Sequence, residues 1–246
     1  MSKVYKSFTE LVGNTPLMEL CNLKKDCGFL GNIFAKLEFF NPAGSIKDRV
    51  ALSMVLDAEQ KGMSGAIEKA EQLNKEIKGS IIAGQFYNPS NPQAHYETTG
   101  PEIYEALDGK VDLLVCGVGT GGTLSGTGKF LKEQNPDIKV IAVEPQSSPV
   151  LSENVSGPHK IQGIGANFVP ENLDRSIYDR IITVSDEDAF EFARKICKTE
   201  GLCVGISAGA ALCAAMSVAN EQQNRDKNIV VILPDTGSRY LSTDLF

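Results

Sequence analysis

Short apolar strands alternate with amphipathic helices through the second half of this chain, and this alternation limits the fold more than any other feature. The pattern predicts strands at 111–118, 139–144, 180–184, 203–207 and 228–234, with helices between them, including one after Gly121 and one over 186–200. Strands and helices in this order form a mostly parallel sheet with helices on both faces. We therefore expect an α/β fold with mostly parallel, twisted sheets.

Local signals mark some element boundaries. Ser185 followed by Asp188 is a capping box with Asp in place of Glu, which predicts a helix start, and Gly201 predicts the end of that helix. The first half breaks the alternation, because helix-like runs at 50–61 and 66–77 flank Gly62 with no strand between them. The Pro/Asn-rich segment 85–92 predicts irregular backbone near a site or a hinge.

Composition excludes several classes of function. A net charge of -7, with acidic residues spread along the chain, provides no basic face, so we expect no nucleic-acid partner. We find no apolar stretch typical of a signal peptide or a membrane span, and we expect a cytoplasmic protein that does not enter a membrane. The six cysteines lack C-x-x-C pairs and predict reduced thiols, and with only two histidines we expect no metal site.

The glycine-rich loop Gly117-Val-Gly-Thr-Gly-Gly122 fits two kinds of ligand. It matches the dinucleotide-binding pattern between a strand and a helix, and Glu144 follows about 20 residues on, where a ribose-binding acid belongs. In either case a phosphate would lie at the helix N-terminus. Thr120 and Thr123 add hydroxyl donors, which favour a terminal monophosphate such as that of pyridoxal phosphate. NAD and a tight turn without a ligand remain the alternatives at this point.

A lysine at a helix start, such as Lys47, is usually a solvated surface residue when judged alone. Its surroundings change that interpretation, because it lies in one of a series of specific motifs that cover nearly the whole chain. The motifs are Gly13-Asn-Thr-Pro-Leu17, Lys36-Leu-Glu-Phe-Phe-Asn-Pro-Ala-Gly-Ser-Ile-Lys-Asp-Arg49, Asn88-Pro-Ser-Asn-Pro92, Gly119-Thr-Gly-Gly-Thr123, Val143-Glu-Pro145, Gln162-Gly-Ile-Gly165, Gly205-Ile-Ser-Ala-Gly209 and Arg239-Tyr-Leu-Ser-Thr243. In this order they resemble the cysteine synthases (O-acetylserine sulfhydrylases), a family of pyridoxal phosphate enzymes of fold type II.

The resemblance implies a reaction and a site. The reaction is replacement of the acetate of O-acetylserine by sulfide, which gives L-cysteine and acetate, and the family forms homodimers that bind serine acetyltransferase. Lys47 would carry the cofactor and act as the base at the substrate Cα. The cofactor phosphate would be held by Gly119, Thr120, Gly121, Gly122 and Thr123, and the ring nitrogen would be bonded by Ser207. Gln85, Phe86 and Gly163 would lie beside the substrate.

The chain departs from the family pattern in one respect. The family's substrate loop, Thr-Ser-Gly-Asn-Thr-Gly, is absent from the sequence. We expect an internal shortening of about 60 residues, or two strand–helix units, joined at Gly62. Residues 1–40 and 89–246 would form the large cofactor domain, and 41–88 a remnant of the small substrate domain. The alternatives to an active enzyme are a catalytically impaired, pyridoxal phosphate-binding relic with a regulatory role and a deleted variant without a function. The missing loop also disfavours the partnership with serine acetyltransferase.

Overall fold

The sheet is the centre of the fold. The computed structural model describes residues 5–61 and 84–246, and for 57–61 it gives the backbone alone. A six-stranded sheet has the spatial order β1-β2-β6-β3-β4-β5, with β1 antiparallel to β2 and the other neighbours parallel. The strands are β1 (Leu17–Glu19), β2 (Asn32–Leu37), β3 (Leu113–Gly117), β4 (Lys139–Pro145), β5 (Arg180–Val184) and β6 (Asn228–Leu233). The predicted mostly parallel α/β fold is confirmed.

Helices connect these strands. They are α1 (Cys21–Cys27), α2 (Lys47–Lys61), α3 (Ser90–Ala94), α4 (Gly100–Ala106), α5 (Gly122–Gln134), α6 (Val150–Glu153), α7 (Asp186–Glu200) and α8 (Ile206–Ala219), and a π-helical turn (His95–Thr99) joins α3 to α4. Short 3-10 turns occur at Phe8–Leu11, Glu38–Phe40, Gln222–Asn224 and Gly237–Tyr240. Among these described helices, none combines the length and the apolar character needed to cross a membrane.

The local boundary signals are confirmed. The Ser185 hydroxyl accepts a hydrogen bond from the backbone N–H of Asp188 at 3.0 Å and so caps α7. Gly201 ends α7 in the left-handed conformation, with φ of 73°. The irregular backbone predicted at 85–92 is present as a turn over 84–88, but the prediction is wrong for 90–92, because α3 already begins at Ser90. The predicted helical run at 66–77 and the join at Gly62 lie outside the described residues.

The strand predicted at 203–207 is wrong. Val204 forms an isolated bridge to Thr236, and α8 already begins at Ile206. A short buried apolar run fits a strand and a buried helix equally well, so periodicity could not separate them. Helix α8 carries no charged residue and is buried on nearly all sides, which made its first turn look like a strand.

The hydrophobic core lies on both faces of the sheet. One cluster packs α1, α7 and α8 against one face, and the second packs α4 and α5 against the other. Helix α8 approaches α7 closely because Gly209 has no side chain, since a Cβ there would lie 2.0 Å from the Ala189 carbonyl oxygen. The two layers hold the strand ends in fixed positions, and those ends form the site described below.

The expectation that all cysteines are reduced thiols is wrong for one pair. Cys197 and Cys203 form a disulfide, with their Cα atoms 4.6 Å apart. The chain reverses at Gly201, which brings Cys203 back beside the last turns of α7. Cys21, Cys27, Cys116 and Cys213 are free thiols, in agreement with the prediction.

Candidate functional site

A cavity of about 200 Å³ opens beside the carboxyl ends of β3 and β6. In α/β folds with parallel strands, ligands bind at that edge of the sheet. Most of the predicted site residues line this cavity, although they come from separate parts of the chain. They are Lys47, Gly119, Thr120, Gly121, Thr123, Gly163 and Ser207.

The remaining predicted residues do not line the cavity. Gly122 packs against α3, where a Cβ would fall 2.0 Å from the side-chain oxygen of Asn91. Gln85 is exposed, and the Phe86 ring packs against Phe168 with the ring centroids 5.1 Å apart. The structure therefore brings together the predicted cofactor residues and leaves the Gln85–Phe86 pair outside their cavity.

Lys47 is held at the cavity by the segment that follows β6. The backbone N–H of Ile46 donates to the carbonyl oxygen of Pro234 at 2.9 Å, and Ser45 bridges to Asp235. Arg239 donates to the carbonyl oxygen of Ala43 from the same side. Helix α2 then begins at Lys47 itself, so the lysine stands where a loop fixed to the sheet becomes a helix.

The electrostatic surroundings of Lys47 favour a neutral amine. Lys47 is exposed to the solvent of the cavity, but the protein atoms around the cavity partly desolvate its amine, and this desolvation lowers the pKa of the amine. The carboxylate of Asp235, which lines the same cavity, acts in the opposite direction. Burial raises the pKa of the Cys116 thiol to about 12, so the thiol is protonated at neutral pH. A lysine with a lowered pKa is a better nucleophile and base than a solvated one.

The glycine loop is shaped to receive an anion. Gly121 is the N-cap of α5 with φ of 82°, and a Cβ there would lie 2.6 Å from the Leu173 Cβ. At Gly119 a Cβ would lie 2.4 Å from the carbonyl oxygen of Gly163. The first N–H groups of a helix have no partner within the helix and attract negative charge. Because Gly119, Gly121 and Gly122 carry no side chain, an anion can approach these N–H groups closely.

The two threonines of the loop are held by side chains from the neighbouring helix. The side-chain amide of Asn91 donates to the Thr120 hydroxyl at 2.8 Å. Nε2 of His95 lies 3.2 Å from the Thr123 hydroxyl, and its Nδ1 lies 2.9 Å from the Thr99 hydroxyl. Burial, and then the positive charges of Arg49 and Lys47, keep the pKa of His95 well below its usual range. A neutral His95 therefore links two hydroxyl groups.

Ser207 occupies the second position of α8 and is 3% exposed. The Gly163 loop covers it closely, since a Cβ at Gly163 would lie 3.3 Å from the Ser207 hydroxyl oxygen. A hydroxyl is neutral and can accept or donate a hydrogen bond. Its place beside the cavity agrees with the predicted contact to a ring nitrogen, for which it supplies no negative charge.

Known proteins resemble this chain over its whole length. A family model described as pyridoxal-phosphate dependent enzyme matches residues 8–67 and 60–235. A cysteine synthase of Buchnera aphidicola is 39% identical over 317 residues, covering 100% of this chain and 97% of the relative, and one from Staphylococcus aureus is 38% identical over 307 residues, covering 99% and 98%. This chain belongs to the cysteine synthase family of pyridoxal-phosphate-dependent enzymes. Pyridoxal phosphate is therefore its cofactor.

Solved structures agree with the family assignment. A cysteine synthase from Entamoeba histolytica superimposes with a TM-score of 0.92 at 35% identity and covers 99% of this chain and 91% of that one. A hydrogen sulfide-producing enzyme from Fusobacterium nucleatum has a TM-score of 0.90 at 36% identity, with coverage of 97% and 100%. An O-ureido-L-serine synthase has a TM-score of 0.91 at 33% identity, with coverage of 99% and 96%.

The cavity fits the cofactor of this family. Lys47 offers an amine, the 119–123 loop offers N–H and hydroxyl donors to a phosphate, and Ser207 offers a hydroxyl to the ring. When bound, pyridoxal phosphate supplies an electron sink for the charge that develops at a substrate Cα. The dinucleotide alternative is disfavoured by Glu144, whose oxygens already accept hydrogen bonds from Leu151 and Ser152 at the start of α6.

A buried ionic network lies behind Lys47, and sequence reasoning missed it. Arg49 donates through two nitrogens to each of the carboxylates of Glu38 and Glu102, at 2.7–2.9 Å. Lys36 donates to Glu102 at 2.7 Å and to the carbonyl oxygen of Thr15 at 2.7 Å. Burial acts to raise the pKa of Glu102, but Arg49 and then Lys36 outweigh it and lower the pKa to about 2. The network fixes the first turn of α2.

Asp235 was also missed, although a signal for it exists in the sequence. It follows Leu233 and Pro234 directly after β6, at the carboxyl edge where ligands bind in this class of fold. Burial raises the pKa of its carboxyl group, against the opposing effects of Tyr240, Arg239 and Lys47. The Tyr240 hydroxyl donates to it at 2.7 Å. Asp235 therefore places a carboxyl group with a raised pKa beside the cavity lysine.

Proposed function

We propose that this chain binds pyridoxal phosphate through Lys47 and replaces the acetate of O-acetylserine with sulfide, giving L-cysteine and acetate. The observation that carries the proposal is the convergence of Lys47, the 119–123 loop and Ser207 on one cavity. Relatives named cysteine synthase, with 38–39% identity to this chain, support the choice of reaction.

The residues have separate roles in this proposal. The Lys47 amine holds the cofactor and then takes the proton from the substrate Cα, for which its lowered pKa suits it. Gly119, Thr120, Gly121, Gly122 and Thr123 bind the phosphate, and Ser207 bonds the ring nitrogen. Gln85, Phe86 and Gly163 face the substrate. The Gly163 loop has the best support among these three, because it lines the same cavity.

We extend the proposal to an internal shortening beside Gly62. Two observations support it. The alignment with the Buchnera cysteine synthase runs over 317 residues although this chain has 246, and the two ranges matched by the family model overlap at 60–67. In this proposal 1–40 and 89–246 form the cofactor domain, 41–88 is the remnant of the substrate domain, and the block between its halves carried the Thr-Ser-Gly-Asn-Thr-Gly loop.

The shortening favours a second candidate function, a pyridoxal phosphate-binding protein with weak or no turnover. Each hydrogen bond lost to a substrate carboxylate is worth about 1.5–3 kcal/mol. A misplaced Cα proton lowers the rate by about 10²-fold. The proposal also includes a cytoplasmic protein that forms a homodimer, and light scattering would test the dimer. The missing loop disfavours a partnership with serine acetyltransferase without excluding it.

The experiment is to record the visible spectrum of the protein reconstituted with pyridoxal phosphate and to repeat it for Lys47→Ala. Lys110→Ala is the matched control, because Lys110 is exposed, does not line the cavity and lies before the amino end of β3, at the opposite edge of the sheet. We expect the parent and the control to show the absorption band of lysine-bound cofactor, and the Lys47 variant to lose it. After borohydride reduction, the added mass should be found on the peptide that contains Lys47.

Adding O-acetylserine separates the two candidate functions. A spectral change, followed by cysteine formation with sulfide, would support the cysteine synthase. A band that does not respond to O-acetylserine would support the binding protein. If the parent shows no band at all, the cofactor assignment to Lys47 is wrong.

A further inference from the structure

Asn91 is a buried polar residue without an assigned role. It is 1% exposed on α3, and its side-chain nitrogen lies 2.7 Å from the carbonyl oxygen of Gln85 and 2.8 Å from the hydroxyl oxygen of Thr120. A carbonyl oxygen can only accept a hydrogen bond, so the atom facing Gln85 is the amide nitrogen. The same nitrogen must therefore be the donor to Thr120.

This contact limits what the Thr120 hydroxyl can do. The oxygen of a hydroxyl has two acceptor positions and one proton. The Asn91 amide fills one acceptor position, and the backbone N–H of Gly122 approaches the same oxygen at 3.5 Å. The hydroxyl is left with its proton, and Thr120 lines the cavity. The Thr120 side chain is thus set as a donor toward the space in front of the glycine loop.

Close packing of two helices makes the contact from Asn91 to Thr120 possible. A Cβ at Gly122 would lie 2.0 Å from the Asn91 side-chain oxygen, and one at Gly126 would lie 2.0 Å from the carbonyl oxygen of Pro92. Both glycines are in α5, and both face α3. Because neither has a side chain, α3 reaches the first turn of α5 and carries Asn91 behind the loop.

We propose that Asn91 is a positioning residue for the phosphate monoester of the cofactor. It directs the proton of Thr120 into the cavity, and through the same amide it holds the Gln85 carbonyl, so that the phosphate loop and the turn at 84–88 are held as one unit. This inference rests on the proposed function, in which the 119–123 loop binds that phosphate. Asn91 itself does not touch the cofactor.

The test compares two ligands that differ only in the phosphate. Calorimetric titration of the apoprotein with pyridoxal phosphate and with pyridoxal gives an affinity ratio for each variant. Asn91→Ala should bind pyridoxal phosphate about tenfold more weakly, the equivalent of one charge-assisted hydrogen bond, and should bind pyridoxal as the parent does. A general loosening of the structure would weaken the binding of both ligands.

Two further variants isolate the contact. Asn172→Ala is the matched control, because the Asn172 amide also donates to the Gln85 carbonyl, at 2.9 Å, whereas the amide that donates to Thr120 is that of Asn91. This control should leave the affinity ratio unchanged. In a Thr120→Val background the additional change Asn91→Ala should have no effect on the ratio, because the hydroxyl on which Asn91 acts is gone.

The outcomes separate this inference from the proposed function. The inference is overturned if Asn91→Ala weakens the binding of both ligands equally, if Asn172→Ala gives the same phosphate-specific loss, or if the effect persists in the Thr120→Val background. A parent that fails to bind pyridoxal phosphate overturns the proposed function. In that case inorganic phosphate should still raise the Tm of the parent more than that of Asn91→Ala, and an equal rise would overturn the inference too.

Discussion

Glu102→Gln tests whether the ionic network behind Lys47 stabilises the fold. Both oxygens of the Glu102 carboxylate accept hydrogen bonds, one from Arg49 and from the backbone N–H of Asn14, the other from Arg49 and Lys36. Glutamine keeps the shape of the side chain, but it places an amide donor against these donors and removes the negative charge. Arg49 then keeps the carboxylate of Glu38, whereas the buried Lys36 loses its ion-pair partner.

The expected loss of folding stability follows from the pKa of Glu102. Its carboxyl group titrates at about 2 in the fold against an ordinary 4.5. At about 1.4 kcal/mol per pKa unit, the ionised form stabilises the fold by about 3 kcal/mol. This agrees with the cost of about 3–5 kcal/mol for removing one partner of a buried ion pair. Since the pKa is depressed, the stabilisation is complete above the unfolded value and is lost as the pH falls toward 2.

Urea unfolding of the parent and the variant measures this effect. At about pH 7 the free energy of unfolding of Glu102→Gln should be lower by about 3 kcal/mol, and the difference should shrink by more than half at about pH 3. Glu105→Gln, at an exposed position of the same helix, should change stability by less than about 0.5 kcal/mol. A loss for Glu102→Gln below about 1 kcal/mol, or one independent of pH, would refute the reasoning.

Three further predictions concern a cap, two glycines and a carboxylate. Ser185→Ala should lower the free energy of unfolding by about 1 kcal/mol, measured with urea, because α7 loses its N-terminal cap. Gly201→Ala, with open space around the Cβ, should cost about 1–2 kcal/mol for its positive φ alone, whereas Gly121→Ala, which adds a steric clash, should cost more and also weaken pyridoxal phosphate binding. Asp235→Asn should lower the pKa of Lys47 further, because the carboxylate raises it, and the pH dependence of amine labelling with an aldehyde should shift to lower pH. Equal losses of unfolding free energy for Gly201→Ala and Gly121→Ala would contradict the glycine prediction. An unshifted labelling profile would contradict the Asp235 prediction.

Patterns that are local or periodic were readable from the sequence. The strands at 111–118, 139–144, 180–184 and 228–234 are all present with boundaries moved by at most a few residues, and the parallel sheet follows from their alternation with helices. Caps depend on residues three or four positions apart, so Ser185 and Gly201 could be identified directly. The 203–207 segment failed because a buried helix and a buried strand have the same apolar composition.

Contacts between distant polar residues were not readable in this way. Arg49 and Glu102 are far apart in the chain, and nothing in the periodicity of either segment indicates that they meet. The same holds for Asn91 and Thr120, whose contact depends on glycines in a different helix. Family motifs gave the cavity residues Lys47, the 119–123 loop and Ser207, whereas the residues that orient them became visible through the fold.

The position of β6 determines when the sheet can form. β6 lies between β2 and β3, and the pairing of Asn32 in β2 with Asn228 in β6 spans 196 residues of chain. A ribosome adds about 5–20 residues per second, so β2 is synthesised on the order of 10–40 s before β6. During that time it presents an unpaired apolar edge, which is a site for wrong pairing. Because the central strand β6 is synthesised last, we expect the sheet to form in one step near the end of synthesis and not strand by strand from the N-terminus.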